Sequence, residues 1–151
     1  QAEALWAIRH GISDAQRHAG ISIKHDVAVP LSVLDPFISE TSAALHAHLP
    51  GVRIVCFGHV GDGNLHFNLS QPEGISADAY RAEAEALSDI VHAAVWRFGG
   101  TVSAEHGIGL AKRGLLERQV SPAALTLMRQ LKLAWDPECL MNPGKILRDN
   151  H

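Results

Sequence analysis

Apolar side chains recur at Ala4, Leu5, Ile8, Ile12 and Ala15, the spacing of one helix face, and Gly20 stops the run, so the pattern predicts a first helix over about 2–18. The period then falls to two. Ile21, Ile23, His25, Val27 and Val29 alternate with Ser22, Lys24, Asp26 and Ala28 as far as Pro30, which predicts a strand. Pro30 and Pro36 open a second helical stretch with Leu34, Phe37, Ile38, Leu45 and Leu49 on its apolar side, closed by Pro50-Gly51. The β-branched run 52–60, the turn residues Gly61-Asp62-Gly63 and the alternation from Leu65 to Leu69 read together as a hairpin. A helix over 77–98, the longest expected in the chain, carries Leu87, Ile90, Val91, Ala94 and Val95 as its stripe and ends at Gly99-Gly100. Thr101-Val102-Ser103 is a short β-prone piece leading to Glu105-His106-Gly107.

From Ile21 onward the order is strand, helix, strand, strand, helix, strand. This is the α+β, ferredoxin-like βαββαβ arrangement, a mainly antiparallel sheet with helices on one face, here with added N-terminal and C-terminal helices. The C-terminal pair is expected over about 110–118 and 122–135, the latter with Ser121 as N-cap and Pro122 at its first position. The tail from Asn142 to Leu147 reads as an ordered extended end, and with no repeat or linker the chain reads as one domain, 1–151.

Composition narrows the class. The 151 residues are 46% hydrophobic and 19% charged, which suits a globular domain with its own core. A formal net charge of −3 without a basic block lacks the footprint of a nucleic-acid binder. The two cysteines, Cys56 and Cys139, have no CxxC spacing, so neither a disulfide framework nor a thiolate zinc site is suggested. No apolar run reaches the roughly 18 residues of a membrane span, and no signal pattern opens the chain, so a cytoplasmic location is expected. Because Gln1 stands almost inside a helical pattern, a fragment of a longer protein is expected.

Ten histidines raise the question of metal or proton chemistry. If the hairpin turn is closed by two residues, Asp62-Gly63, or by four, 61–64, His59 lies directly opposite His66, with Cβ atoms roughly 4.5–5.5 Å apart. Asn68 falls on the same face. Two imidazoles and one carboxylate form a known divalent-metal triad, and Glu105, after its short strand, is the best third ligand. The alternative is a pair of structural histidines and a turn that is only a turn. In an extended segment Glu105 and His106 would point opposite ways, so that one could face a metal and the other a reactant. His10, His18, His46, His48 and His151 read as solvated positions and His92 as packing.

The strings Gly58-His59-Val60-Gly61-Asp62-Gly63-Asn64-Leu65-His66, Val102-Ser103-Ala104-Glu105-His106-Gly107-Ile108-Gly109, and Asp136-Pro137 through Leu140-Met141-Asn142-Pro143-Gly144-Lys145 resemble the C-terminal region of FAD-linked oxidases. These are the D-lactate, glycolate and D-2-hydroxyglutarate dehydrogenases of the vanillyl-alcohol-oxidase-type flavoprotein superfamily, and the chain is most similar to the D-2-hydroxyglutarate dehydrogenase-like branch. The resemblance implies a divalent metal, Zn or Mn, on His59, His66 and Glu105, and His106 as general base. It implies substrate contacts at Arg9, Ser13, Lys24 and Asn68 and a flavin contact at Asn142. Ser13 stands where the family has Thr, which keeps the hydroxyl but leaves the substrate class open.

Such proteins bind FAD mainly through an N-terminal domain, and this chain holds no glycine-rich pyrophosphate loop. The resemblance therefore implies a substrate- and metal-binding cap that oxidises a D-2-hydroxy acid to the 2-oxo acid together with its own FAD-binding domain, passes electrons to an unspecified acceptor, and is inactive alone. Two rivals remain open on the residues themselves: a metal-dependent hydrolase using the same cage, and a non-catalytic ferredoxin-like binding module.

Overall fold

In the computed structural model, which describes residues 1–18 and 20–148, the chain is organised as two compact units, Gln1–Ala104 and Glu105–His151. His151, expected to be solvated, lies outside the described residues.

The first unit opens with α1 (Ala2–His18) and continues through β1 (Ser22–Ile23), β2 (Asp26–Ala28), α2 (Leu34–His48), β3 (Arg53–His59), β4 (Asn64–Ser70), α3 (Ala77–Ala82) and α4 (Ala84–Arg97). The central strand β4 pairs antiparallel with β3 on one side and with β1 and β2 on the other. Thr101 adds an antiparallel bridge to Ala28. The α+β class and the antiparallel sheet are thus as expected, with two differences along the strands. The strand expected over 21–29 is in two pieces that keep one register against β4, and the last strand shrinks to the Thr101 bridge.

Alternation along β4 divides the sheet into two faces. Leu65, Phe67 and Leu69 are fully buried against the helices. The ring of Phe37 on α2 meets that of Phe67 with centroids 5.6 Å apart, and the Tyr80 hydroxyl of α3 donates to the Leu69 carbonyl at 2.8 Å. His25 joins this side, with Nε2 3.1 Å from the Ser88 hydroxyl on α4, and its ring packs on buried His92, a packing role as expected.

The helix expected over 77–98 breaks at Glu83, where ψ of −7° takes the backbone out of the helical repeat. Glu83 is itself engaged outward, its carboxylate 2.9 Å from His48 Nε2. The expected apolar stripe begins only at Leu87, beyond this point, and so does not mark it; α1, with 17 residues, is the longest helix among the described residues.

The polar face of the sheet carries α1. Its contacts are not the apolar stripe: Leu5 and Ile8 are 68% and 70% exposed, while Gln16 is buried and accepts from Asn68 Nδ2 at 2.8 Å. The expected covering of one face by helices therefore holds for α2 and α4, and α1 lies on the other.

In the second unit α5 spans Arg113–Gln119, starting three residues later than expected, and α6 spans Pro122–Trp135 as expected. The Ser121 hydroxyl caps α6 by accepting from Ala124 N–H at 3.2 Å. The tail is not extended. Asn142, Gly144 and Ile146 all take positive φ, at 49°, 66° and 64°. Asp136 causes the reversal, its carboxylate accepting from the N–H groups of Leu140 and Met141, each at 2.9 Å.

Candidate functional site

The hairpin turn sets the register of the polar face. Residues 60–62 form one 3-10 turn, closed by Gly63 at φ 71° with its N–H on the Val60 carbonyl at 3.2 Å. Asp62 Oδ1 accepts from Asn64 N–H at 3.2 Å. The Gly63 carbonyl accepts from Val29 N–H at 3.2 Å, and a Cβ at 63 would lie 2.0 Å from the Val29 oxygen, so only glycine fits there.

The four-residue loop is thus 60–63 and not 61–64, which moves the pairing by two: His59 faces Asn64, and His66 faces Phe57. His59 and His66 are therefore not directly opposite. Because the shift is even, both stay on one face as diagonal neighbours, a relation that sets residues roughly 7–8 Å apart with Cβ atoms somewhat closer.

The residue directly across from His66 on its other side is Asp26 of β2. A carboxylate oxygen of Asp26 and a ring nitrogen of His66 lie within 4.8 Å of one another. Phe57 completes the row, its ring 5.1 Å from the His66 ring and under the Arg9 guanidinium at 5.0 Å. Arg9 of α1 is thus brought over the same face as His66 by a cation–π contact. Ser13, one turn further along α1, is exposed. Asn68 is buried and tied to Gln16, whose Nε2 lies 3.5 Å from the Ser70 hydroxyl. Lys24 is exposed in the gap between β1 and β2, where the shared register sets it across from Asn68.

The first unit thus gathers Arg9, Lys24, His59, His66 and Asn68 at one sheet face. Asp26, Phe57 and Gln16 belong to the same group and escape a reading of the sequence. Asp26 is recognisable only as the alternate neighbour of Lys24, and its pairing with His66 depends on strand order. Cys56 stands on the opposite face, across from Phe67, and burial pushes its thiol up to about 11, so it is protonated at neutral pH and a poor metal ligand.

Glu105 and His106 open the second unit, both exposed. They lie in a bent loop before Gly107 at φ 73°, and not in an extended segment, so strand alternation does not assign their directions. Asn142, exposed in its left-handed turn, borders a cavity of about 530 Å³ within the second unit, lined also by Met128, Leu131, Lys132 and Lys145.

The family described as FAD linked oxidases, C-terminal domain, matches residues 1–146. A D-2-hydroxyglutarate dehydrogenase of Xanthomonas citri pv. viticola is 41% identical over 146 residues, which cover 97% of this chain and 31% of that protein. The mitochondrial D-2-hydroxyglutarate dehydrogenase of Bos taurus is 39% identical over 146 residues, 95% of this chain and 25% of that protein. A probable mitochondrial D-lactate dehydrogenase of Danio rerio is 36% identical over 146 residues, 95% of this chain and 29% of that protein. The chain spans less than a third of the length of these relatives.

Proposed function

The chain belongs to the family of FAD linked oxidases, C-terminal domain, and on that footing we propose that it is the substrate-binding part of an FAD-dependent dehydrogenase converting a D-2-hydroxy acid, D-2-hydroxyglutarate in preference, to the 2-oxo acid. The observation that carries this reading is the placement of Arg9, Lys24, His66 and Asn68 at one sheet face, two cations and two hydrogen-bonding groups suited to a hydroxy dicarboxylate. Arg9 offers a planar fork to one carboxylate and Lys24 a point charge to another. Asn68 spends one N–H on Gln16 and keeps its carbonyl oxygen and second N–H for substrate. Ser13 adds a hydroxyl one turn from Arg9.

His59 and His66 supply nitrogen donors for Zn or Mn, with Glu105 as the carboxylate. The fit is supported by the two imidazoles on one sheet face, nitrogen donors suited to those ions. His106 receives the hydroxyl proton of the substrate on a neutral ring nitrogen. The roles of Glu105 and His106 rest on the motif alone. Asn142, with its amide exposed in a turn, suits a contact to FAD held mainly by another domain. When bound, FAD supplies the hydride acceptor and the cation lowers the pKa of the substrate hydroxyl.

The test is the ratio of kcat/KM for D-2-hydroxyglutarate and D-lactate in a protein joining this chain to its FAD-binding domain. D-2-hydroxyglutarate is expected to be favoured. Arg9→Ala should lower its kcat/KM about 10- to 100-fold, the scale of a lost charged hydrogen bond. His106→Ala should lower kcat by about 100-fold or more. A preference for D-lactate that Arg9→Ala leaves unchanged would overturn the dicarboxylate assignment.

A further inference from the structure

The buried carboxylate of Asp26 has no part in the reading above, yet it sits at the centre of the polar face. It is only 4% exposed, and a carboxylate is costly to bury without donors. Two donors come from the chain that ends the first unit: Ala104 N–H at 3.2 Å and the Ser103 hydroxyl at 3.5 Å, both on Oδ2. Directly across the ladder stands His66, with a ring nitrogen within 4.8 Å of a carboxylate oxygen. On the far side of His66 the Phe57 ring stands 5.1 Å from the imidazole, centroid to centroid.

We propose that Asp26 is a positioning residue that does two things at once: it biases His66 toward the tautomer protonated on the nitrogen nearer β2, and it pins Ser103 and Ala104, the two residues before Glu105. An ionised carboxylate only accepts, so the imidazole nitrogen it faces keeps the hydrogen and the other nitrogen presents its lone pair. A metal-binding imidazole needs that arrangement, and its partner carboxylate fixes both tautomer and ring direction. The metal part of this inference rests on the proposed cation at His66; the tautomer part does not.

Long-range nitrogen–proton NMR on the 15N-histidine-labelled chain, with His66 assigned by comparison with His66→Gln, reads the tautomer without metal. One dominant tautomer is expected in the parent. Asp26→Asn keeps an oxygen for Ala104 N–H but turns an N–H toward His66, so the tautomer should switch. Zn²⁺ affinity, measured by chelator competition, should fall about 10- to 100-fold. An even tautomer mixture in the parent, needing no variant to fold, overturns the proposal, as does an unswitched tautomer in Asp26→Asn. Cobalt-substituted spectra that show a ligand lost in Asp26→Asn overturn it in favour of direct coordination. A parent that binds no Zn²⁺ but holds the tautomer bias supports Asp26 while refuting the cation at His66.

Discussion

The two units are held together by different physics. In the first, the largest fully buried side chains are Tyr80, Phe37, Phe67 and Leu45, packed between a sheet and helices. In the second, Leu116 and Leu125 are the only buried apolar side chains among the described residues, while Leu131 is 63% and Trp135 81% exposed. What closes the second unit is polar. Asp136 accepts from two backbone N–H groups and from Lys132, Arg113 donates to the Gly144 carbonyl at 2.8 Å, and Ile146 N–H reaches the Gly109 carbonyl. Apolar burial gives stability in proportion to area and tolerates small errors of position. A carboxylate on backbone donors is directional, so it specifies a turn with little area behind it.

The largest expected effect lies in the first unit. Phe67→Ala should cost about 3–5 kcal/mol in urea denaturation, because the ring is fully enclosed and packs on Phe37. A loss below about 1 kcal/mol would break the contrast, since the first unit would then not depend on its core.

Gly63→Ala is expected to cost about 1–3 kcal/mol, from a left-handed backbone and a Cβ meeting the Val29 carbonyl. The change should show in the same denaturation experiment and in the exchange of Asn64 and His66 amides. An unchanged midpoint would mean that the hairpin tip yields and does not set the register.

For the second unit the sharper probe is pH. The hydrogen bond from Lys132, with the Met141 and Leu140 N–H groups, holds the Asp136 carboxyl below its usual range against a smaller opposing effect of burial. A lowered folded pKa stabilises above the unfolded value of about 4, and that contribution disappears as pH falls through the folded value. Amides of Leu140 and Met141, corrected for intrinsic exchange, should therefore lose protection below about pH 4, while β4 amides keep theirs. Asp136→Ala should remove the pH dependence. Equal loss in both units would show that they unfold together.

The smallest effect should come from Leu131→Ser, expected within about 0.5 kcal/mol because that side chain is already exposed in this chain. Set against Phe67→Ala, a large loss would mean that the apolar surface of the second unit is covered in solution.

Periodicity was sufficient for most elements. Alternation in β4 and the helical stripes of α2 and α4 follow from burial on one face, which is a local rule. Capping by Ser121 and Pro122 is equally local, and α6 starts where they place it. The apolar stripe of α1 gave the helix and not its orientation: Leu5 and Ile8 are exposed, and Arg9 and Gln16 make contacts with the sheet face. A stripe shows helical periodicity and not which side meets the sheet.

The candidate site divides in the same way. The sequence determined that His59, His66 and Asn68 share a face, because the period of two survives any even change of loop length. It also determined the family motifs, since those are strings. Which residues stand across from one another was decided by tertiary structure. A 3-10 turn one residue earlier than expected puts His66 beside Phe57, and strand order brings β2 to β4, so that Asp26 becomes the partner of His66. The pairing of Asp26 with His66 depends on hydrogen bonds between segments 40 residues apart, and no local preference of either segment encodes it.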